Sequence, residues 1–366
     1  MTRKRKILIT GASGLVGEAV LRRMLADDPK LEVFALVRNE LRWKLVSRRL
    51  GALSARVAPI SGDVTLPGLG IEAESRRRIE SETGAVVHAA ADISFSRSVE
   101  ESRRVNTAGT RNAVELANSC HDVERFLFVS TAFVAGRATG TILERDNGGE
   151  AGFVNAYEQS KYEAEAWVRE AGLRWTIVRP STMVCRNADG GVQQINAVHR
   201  ALRVYHRGLA AMIPGDRGNL LDVITSGYVS DAIARLAFDD RAAGKVVHLC
   251  SGRSALSLGE LVDTAYEVWS EHPDWRRRGV ERAIITDPAT YELFERAVHE
   301  TGDARLRAVL GSLSHFIPQL ALPKVFDTTV AESLLDAPPP APSTYWKPML
   351  RRLLEYNWGQ TEGVAA

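Results

Sequence analysis

The stretch Gly11-Ala12-Ser13-Gly14-Leu15-Val16-Gly17 constrains this chain more than any other. It follows the β-rich run Lys6-Ile7-Leu8-Ile9-Thr10 and precedes a segment of helical spacing from Glu18 to Ala26. A strand that passes through three spaced glycines into a helix must turn tightly, leave its backbone uncovered and aim free N–H groups at whatever sits above the loop. A pyrophosphate suits that arrangement. A dinucleotide site is therefore expected at Gly11, Ser13, Gly14, Leu15, Val16 and Gly17.

The pattern beyond the loop supports the same architecture. Glu32 to Val37, Ala85 to His88, Arg125 to Val129, Trp175 to Arg179 and Val246 to Leu249 are short apolar runs. They alternate with amphipathic stretches such as Thr107 to Ala117 and Val229 to Phe238. Such alternation predicts an α/β fold with a doubly wound parallel sheet of the Rossmann type. From Ser257 onward helical spacing dominates, with Leu258 to Trp269 and Thr290 to Leu310 the clearest segments. The expected division is a dinucleotide-binding and catalytic domain over 1–256, with substrate-site insertions at about 186–225, and a mainly helical substrate region over 257–337. A Pro-rich linker follows at 338–342, then an amphipathic helix and tail at 343–366. In that last helix Trp346, Met349, Leu350, Leu353 and Leu354 share one face, which is expected to dock on the body, with a lid, an oligomer contact or a membrane-surface helix as the other readings.

Composition narrows the function classes. With 366 residues, 45% of them apolar, the chain can bury a large core, and a formal charge of +2 calls for no nucleic-acid or anionic-membrane partner. No stretch approaches the ~20 apolar residues of a membrane span. The basic start Arg3-Lys4-Arg5-Lys6 is followed by only three apolar residues before the glycine loop, so it reads as the lead-in to the first strand. Cys120, Cys185 and Cys250 lie far apart, which suggests neither disulfides nor zinc and points to a cytoplasmic setting. His199 and His206 are the only near histidine pair and have no carboxylate partner in sequence, so no metal site is expected.

Three further features carry chemistry. After the second strand, where an acidic residue would hold the ribose hydroxyls of NAD, the chain has Arg38, which can instead pair with the 2′-phosphate of NADP. Arg42 and Arg48 could assist it. Tyr157 and Lys161 stand one helical turn apart, and a cation beside a tyrosine favours its ionised form, so the pair can move a proton and hold the nicotinamide ribose. The strand Arg125 to Val129 ends in Ser130-Thr131 at the sheet edge where ligands bind. Thr131 could steady a substrate oxygen there, with Ser130 as the fallback.

Taken together, Gly11-x-x-Gly14-x-x-Gly17, Ser130-Thr131, Tyr157-x-x-x-Lys161 and Val178-Arg179-Pro180-Ser181 resemble the extended short-chain dehydrogenase/reductase family over roughly residues 5 to 250. That resemblance implies a catalytic tetrad of Asn106, Thr131, Tyr157 and Lys161. It also implies cofactor contacts from Asp63 and Val64 near the adenine, from Ala89, Ala90 and Ala91 behind the cofactor, and from Pro180 and Thr182 near the nicotinamide. The passages Ser61 to Gly70, His88 to Phe95 and Ser130 to Gly136 are similar to those of fatty acyl-CoA reductases and of the thioester-reductase domains of carboxylic acid reductases and peptide synthetases. Leu15, Phe133 and Ala135 depart from the usual residues of those motifs.

The resemblance implies NADPH-dependent hydride transfer to an acyl thioester, carried by CoA or a carrier protein, or to its aldehyde. A homodimer stays open. Two other readings are kept. One is a dehydrogenase or epimerase acting on a sterol-like alcohol or a nucleotide sugar, for which Arg276-Arg277-Arg278 is the densest diphosphate candidate. The other is a non-enzymatic, NADPH-binding redox sensor or scaffold.

Overall fold

A computed structural model describes residues 6–146, 149–302 and 304–359. Arg3 to Arg5 of the basic start and the tail from 360 lie outside the described residues. Seven strands form one sheet: β1 (Lys6–Thr10), β2 (Glu32–Val37), β3 (Val57–Ser61), β4 (Thr83–His88), β5 (Arg125–Val129), β6 (Trp175–Pro180) and β7 (Lys245–Leu249). Their spatial order is β3-β2-β1-β4-β5-β6-β7, and every pairing is parallel. The strand order reverses between β1 and β4, which opens a crevice at the carboxyl ends of those two strands. Strand β3 carries no clear sequence signal because Pro59 interrupts it. Proline is tolerated there because β3 is an edge strand paired only to β2.

The helices that position the site are α1 (Leu15–Asp27), α2 (Ala108–Ser119), α3 (Ala156–Arg169), α4 (Ala197–His206), α5 (Ser226–Leu236), α6 (Leu258–Ser270), α7 (Pro288–Thr301), α8 (Ala304–Leu313) and α9 (Pro342–Glu355). Strand alternation sorts the sheet's side chains into two cores. Ile7, Ile9 and Leu127 join Val20, Leu21 and Ile233 of α1 and α5 on one face. Leu8, Phe126 and Phe128 join Ala113, Leu116, Ala164 and Val168 of α2 and α3 on the other. Both faces are covered, so β1 and β5 read as continuous apolar runs.

A third core lies outside the sheet, where Leu202 and Tyr205 of α4 and Leu261 and Trp269 of α6 pack with Tyr345, Trp346, Met349, Leu350 and Leu353 of α9. Helix α9 docks as its apolar face requires. Pro342 is its first helical residue, where its missing N–H costs nothing, so the extended linker is one residue shorter than expected. The single helical segment expected from Thr290 to Leu310 is in fact two helices. Gly302, at φ 75° in the left-handed region, ends α7 and turns the chain into α8. Among the described residues no helix is long and apolar enough to cross a membrane. None of their histidine, cysteine and acidic side chains form a group that could hold a metal ion.

Candidate active site

The glycine loop connects β1 to α1 at the crevice. Gly11 has φ 72°, and a Cβ there would stand 2.7 Å from the main chain of Ala89 and Ala90. A Cβ on Gly17 would lie 2.1 Å from the Gly11 carbonyl oxygen. Tight turning and close helix–strand packing therefore require both glycines. Gly14 differs: its φ is −88°, and a Cβ would meet only the loop's own Gly11 oxygen, at 3.3 Å. The fold presses less hard on glycine at 14 than at 11 or 17, and space is left above it at the N-terminus of α1, where no side chain caps the helix. A phosphate approaching the backbone accounts for that space, so these residues fit a dinucleotide.

Ala89 to Ala91 follow β4 directly beside this loop, tied to it by Ala90 N–H donating to Thr10 Oγ1 at 3.2 Å. Arg38 directly follows β2, exposed and without a side-chain partner among the described residues. Its neighbour Asn39 caps the following helix by accepting from Arg42 N–H at 3.0 Å. Asp63 accepts from the N–H and hydroxyl of Thr65 at 2.8 and 2.9 Å, and the Val64 carbonyl accepts from Asn112. Pro180 closes β6 and Thr182 opens a short strand beside Val223.

At the carboxyl ends of β5 and β6 the structure brings Thr131, Tyr157 and Lys161 together, all buried. Burial pushes the Tyr157 phenol up to about 12, opposed by a hydrogen bond with Thr131. Burial pushes the Lys161 ammonium down to about 7, opposed by Glu165. Lys161 Nζ donates to the Val129 carbonyl at 2.8 Å and stands 3.9 Å from the centre of the Phe128 ring. Lys161 was expected to hold Tyr157 towards phenolate. Burial works against that expectation by favouring the protonated phenol, and the hydrogen bond with Thr131 works for it.

Two other expected residues find different work. Ser130 donates to Glu165 at 2.6 Å, inside a buried pair in which Arg179 grips Glu165 with bonds of 2.9 and 2.7 Å. That hydroxyl is committed beneath the site, which leaves Thr131 facing Tyr157. Asn106 is fully buried in a π-helical segment, Arg103–Thr107, a type of irregularity found often at functional sites. Its amide donates to Ser160 Oγ at 2.9 Å and to the Asp92 carbonyl at 3.0 Å, and it accepts from Asp92 N–H. It holds α3 and the loop after β4 together, and its hydrogen bonds do not run to Lys161.

Beyond Tyr157 the surface becomes apolar. Phe95 lies 5.5 Å, centre to centre, from the Tyr157 ring and 6.0 Å from Phe133, and it packs on the third core. Within that core is a pocket walled by α4, α6, α8 and α9. Leu202, Met212, Val262, Leu310, Phe316 and Trp346 are among its lining residues, none of which is charged. The residues of the other readings lie elsewhere. Arg276 to Arg278 are exposed, with Arg277 paired to Asp274 of its own turn. His199 is buried against the Val184 carbonyl, while His206 packs among Trp269, Trp275 and Trp358.

Sequence reasoning missed Phe95 as a wall of the site, although its motif was noted. It also missed a buried polar cluster at the start of α3. Glu158 is fully buried there and accepts from Val154 N–H, Asn155 Nδ2 and Gln319 Nε2. Burial pushes Glu158 up to about 7 against the pull of its hydrogen-bond donors and Lys324. Gln319 is 161 residues away in sequence, and no local pattern marks the pairing.

The family described as Male sterility protein matches residues 9–233 of this chain. A Drosophila melanogaster protein provisionally named a fatty acyl-CoA reductase is 31% identical over 147 residues, covering 36% of this chain and 28% of that protein. The L-2-aminoadipate reductase of Schizosaccharomyces pombe is 25% identical over 325 residues, covering 79% of this chain and 22% of the relative. The chain spans between 6% and 28% of the length of the first three curated relatives it matches. Among solved structures, the terminal R domain from the myxalamid PKS-NRPS biosynthetic pathway has a TM-score of 0.79 and 24% identity, over 99% of this chain and 93% of that one. That likeness is one of fold.

Proposed function

Because the chain belongs to the male sterility protein family of extended short-chain dehydrogenases/reductases, homologous to fatty acyl-CoA reductases and thioester-reductase domains, we propose that it reduces an acyl thioester, or the derived aldehyde, with NADPH. The observation that carries this reading is the contact of Phe95 with Tyr157 on one side and with the wholly apolar third core on the other. In this reading the acyl group sits in that core, and Phe95 is what joins the core to the phenol. A nucleotide sugar would need charged partners that the pocket lacks.

In this reading residues 1–256 bind the dinucleotide and carry the chemistry. The segments 186–225 and 257–337, with α9, hold the acyl group. Gly11, Ser13, Gly14, Leu15, Val16 and Gly17 cradle the pyrophosphate and Arg38 meets the 2′-phosphate. Asp63 and Val64 flank the adenine, Ala89 to Ala91 back the cofactor, and Pro180 and Thr182 border the nicotinamide. NADPH, when bound, supplies the hydride. Tyr157, protonated at neutral pH, gives its proton to the carbonyl oxygen while Thr131 donates a hydrogen bond to the same oxygen; with a thioester, the resulting hemithioacetal then breaks its C–S bond and releases the CoA or carrier thiol, leaving the aldehyde. Lys161 lends positive charge beside the phenol and reaches the nicotinamide ribose, and Asn106 keeps α3 in register.

The test mixes purified protein with NADPH, or NADH, and acyl-CoAs of increasing length, following reduced nicotinamide and identifying products by mass spectrometry. Acyl-dependent oxidation giving aldehyde or alcohol is expected, faster with NADPH. Tyr157→Phe should lower kcat by about 10²–10⁴-fold and change the Kd for NADPH little. Bound NADPH with no oxidation on any CoA or carrier-bound acyl group would sink the reading and favour the redox sensor.

A further inference from the structure

The turn after α8 faces two ways. Phe316, Ile317 and Leu320 line the apolar pocket. From the same turn, Gln319 Nε2 donates to Glu158 Oε1 at 2.5 Å, and the carbonyl of His315 accepts from Asn155 Nδ2 at 3.2 Å. Asn155 is the N-cap of α3, accepting from Glu158 N–H at 3.0 Å, and Glu158 directly follows Tyr157. Gln319 Oε1 in turn accepts from Lys324 Nζ at 3.1 Å, and Lys324 donates to the Gly136 carbonyl at 2.6 Å. Gly136 closes the short helical turn Ala132–Ala135, whose N-cap is Thr131. One turn of chain thus holds the start of the helix bearing Tyr157 and the end of the turn bearing Thr131. Asn155, Glu158, Gln319 and Lys324 are all buried.

We infer that this turn is a relay: filling the apolar pocket with an acyl chain sets the Tyr157 phenol and the Thr131 hydroxyl through Gln319, Glu158 and Lys324, which act as positioning residues. The inference rests on the acyl reading above. Its physical basis is the cost of separating buried, hydrogen-bonded charges. Phe316, Ile317 and Leu320 cannot shift against an occupied or empty pocket while Gln319 stays behind, because Gln319 belongs to the same 3₁₀ turn, Ile317–Ala321. Movement of the pocket wall is therefore shared with α3, and a chain long enough to pack that wall favours one position of the phenol. A short acyl group, leaving the wall unpacked, lacks this effect.

The test uses the full chain with NADPH and saturated acyl-CoAs from butanoyl to hexadecanoyl, comparing the native protein with Gln319→Met. The native protein is expected to show kcat rising with chain length. Gln319→Met should lose about tenfold in kcat on long chains, the scale of one charge-assisted hydrogen bond, and so level the kcat series. KM should keep its length dependence, since the pocket is untouched. Hydrogen exchange gives a readout apart from turnover. Dodecanoyl-CoA, unlike butanoyl-CoA, should protect the amides of 156–161 in the native protein, and in Gln319→Met it should bind without protecting them. If Gln319→Met does not fold, Gln319→Asn withdraws the same amide by one methylene and serves instead. An unchanged kcat series, or protection retained in the variant, overturns the relay. Absence of thioester turnover in the native protein overturns the acyl reading, and the exchange measurement still decides whether pocket and helix are coupled.

Discussion

Lys161 concentrates the residue-scale argument. A fully buried ammonium held by one carbonyl and an aromatic face loses solvation that these partners only partly replace, so it gives up its proton at about 7 instead of near 10.5. The sign follows: below pH 7 the free protein carries the charge, and above it the charge is lost. If that charge stabilises the alkoxide side of proton transfer, kcat/KM for NADPH should fall on the alkaline side with a limb near pH 7. Tyr157, at about 12, should add no limb below pH 10. Lys161→Met should abolish the limb and lower the rate by about 10²-fold. A flat profile from pH 6 to 9 in the native protein would separate Lys161 from the chemistry. The histidine beside it behaves as structure: His88, fully buried between Thr10 and Thr110, is pushed down to about 3 by burial and by Lys161, and stays neutral.

At the scale of elements, the β1-to-α1 loop separates two demands that look alike in sequence. Three glycines at one spacing were read together as a dinucleotide signature, yet the fold itself presses hardest on Gly11 and Gly17. Gly17→Ala should drive a Cβ into the Gly11 carbonyl and lower Tm by several degrees. Gly14→Ala should lower Tm less than Gly17→Ala and raise the Kd for NADPH about tenfold, by about 1.4 kcal/mol. Thermal unfolding and a fluorescence titration of the two variants decide this. Equal losses of Tm would mean that Gly14 serves packing alone. Helix α3 shows the same division along its length. Tyr157 and Lys161 were legible from their spacing, whereas Glu158 and Glu165 are fully buried carboxylates whose partners lie on other elements, Arg179 on the next strand and Gln319 161 residues away.

For the molecule as a whole, the third core is where the catalytic body and the C-terminal region become one structure. Tyr345 of α9 donates to the Val223 carbonyl at 2.7 Å, and Trp346 lines the pocket while donating to the Leu261 carbonyl at 3.3 Å. A Cβ on Gly190 would collide with the main chain of Pro348 and Met349, so the 186–225 insertion and α9 are in direct backbone contact. Trp346→Ala should therefore destabilise the protein by about 3–5 kcal/mol in urea unfolding, as expected when a large aromatic side chain is removed from a core. It should also enlarge the pocket and shift the preferred acyl length upward. An unfolding midpoint unchanged by the substitution would mean that α9 leaves the body in solution.

The parallel sheet apart from β3, the alternation of its strands and helices, the glycine loop and the spacing of Thr131, Tyr157 and Lys161 were all determined by local sequence. Strand period, turn residues and helical spacing act over a few neighbours, and a parallel α/β sheet permits few arrangements of them. Even the docking face of α9 was legible from its apolar spacing. Only the tertiary structure decided that Ser130 turns to Glu165, that Asn106 clasps Ser160, and that burial sets the ionisation of Tyr157 and Lys161. It alone joined Gln319 to Glu158 and closed the apolar pocket. Those outcomes depend on desolvation and on contacts between residues tens to hundreds of positions apart. Such contacts leave no period in the chain, because each side chain meets its partner only once the cores have formed.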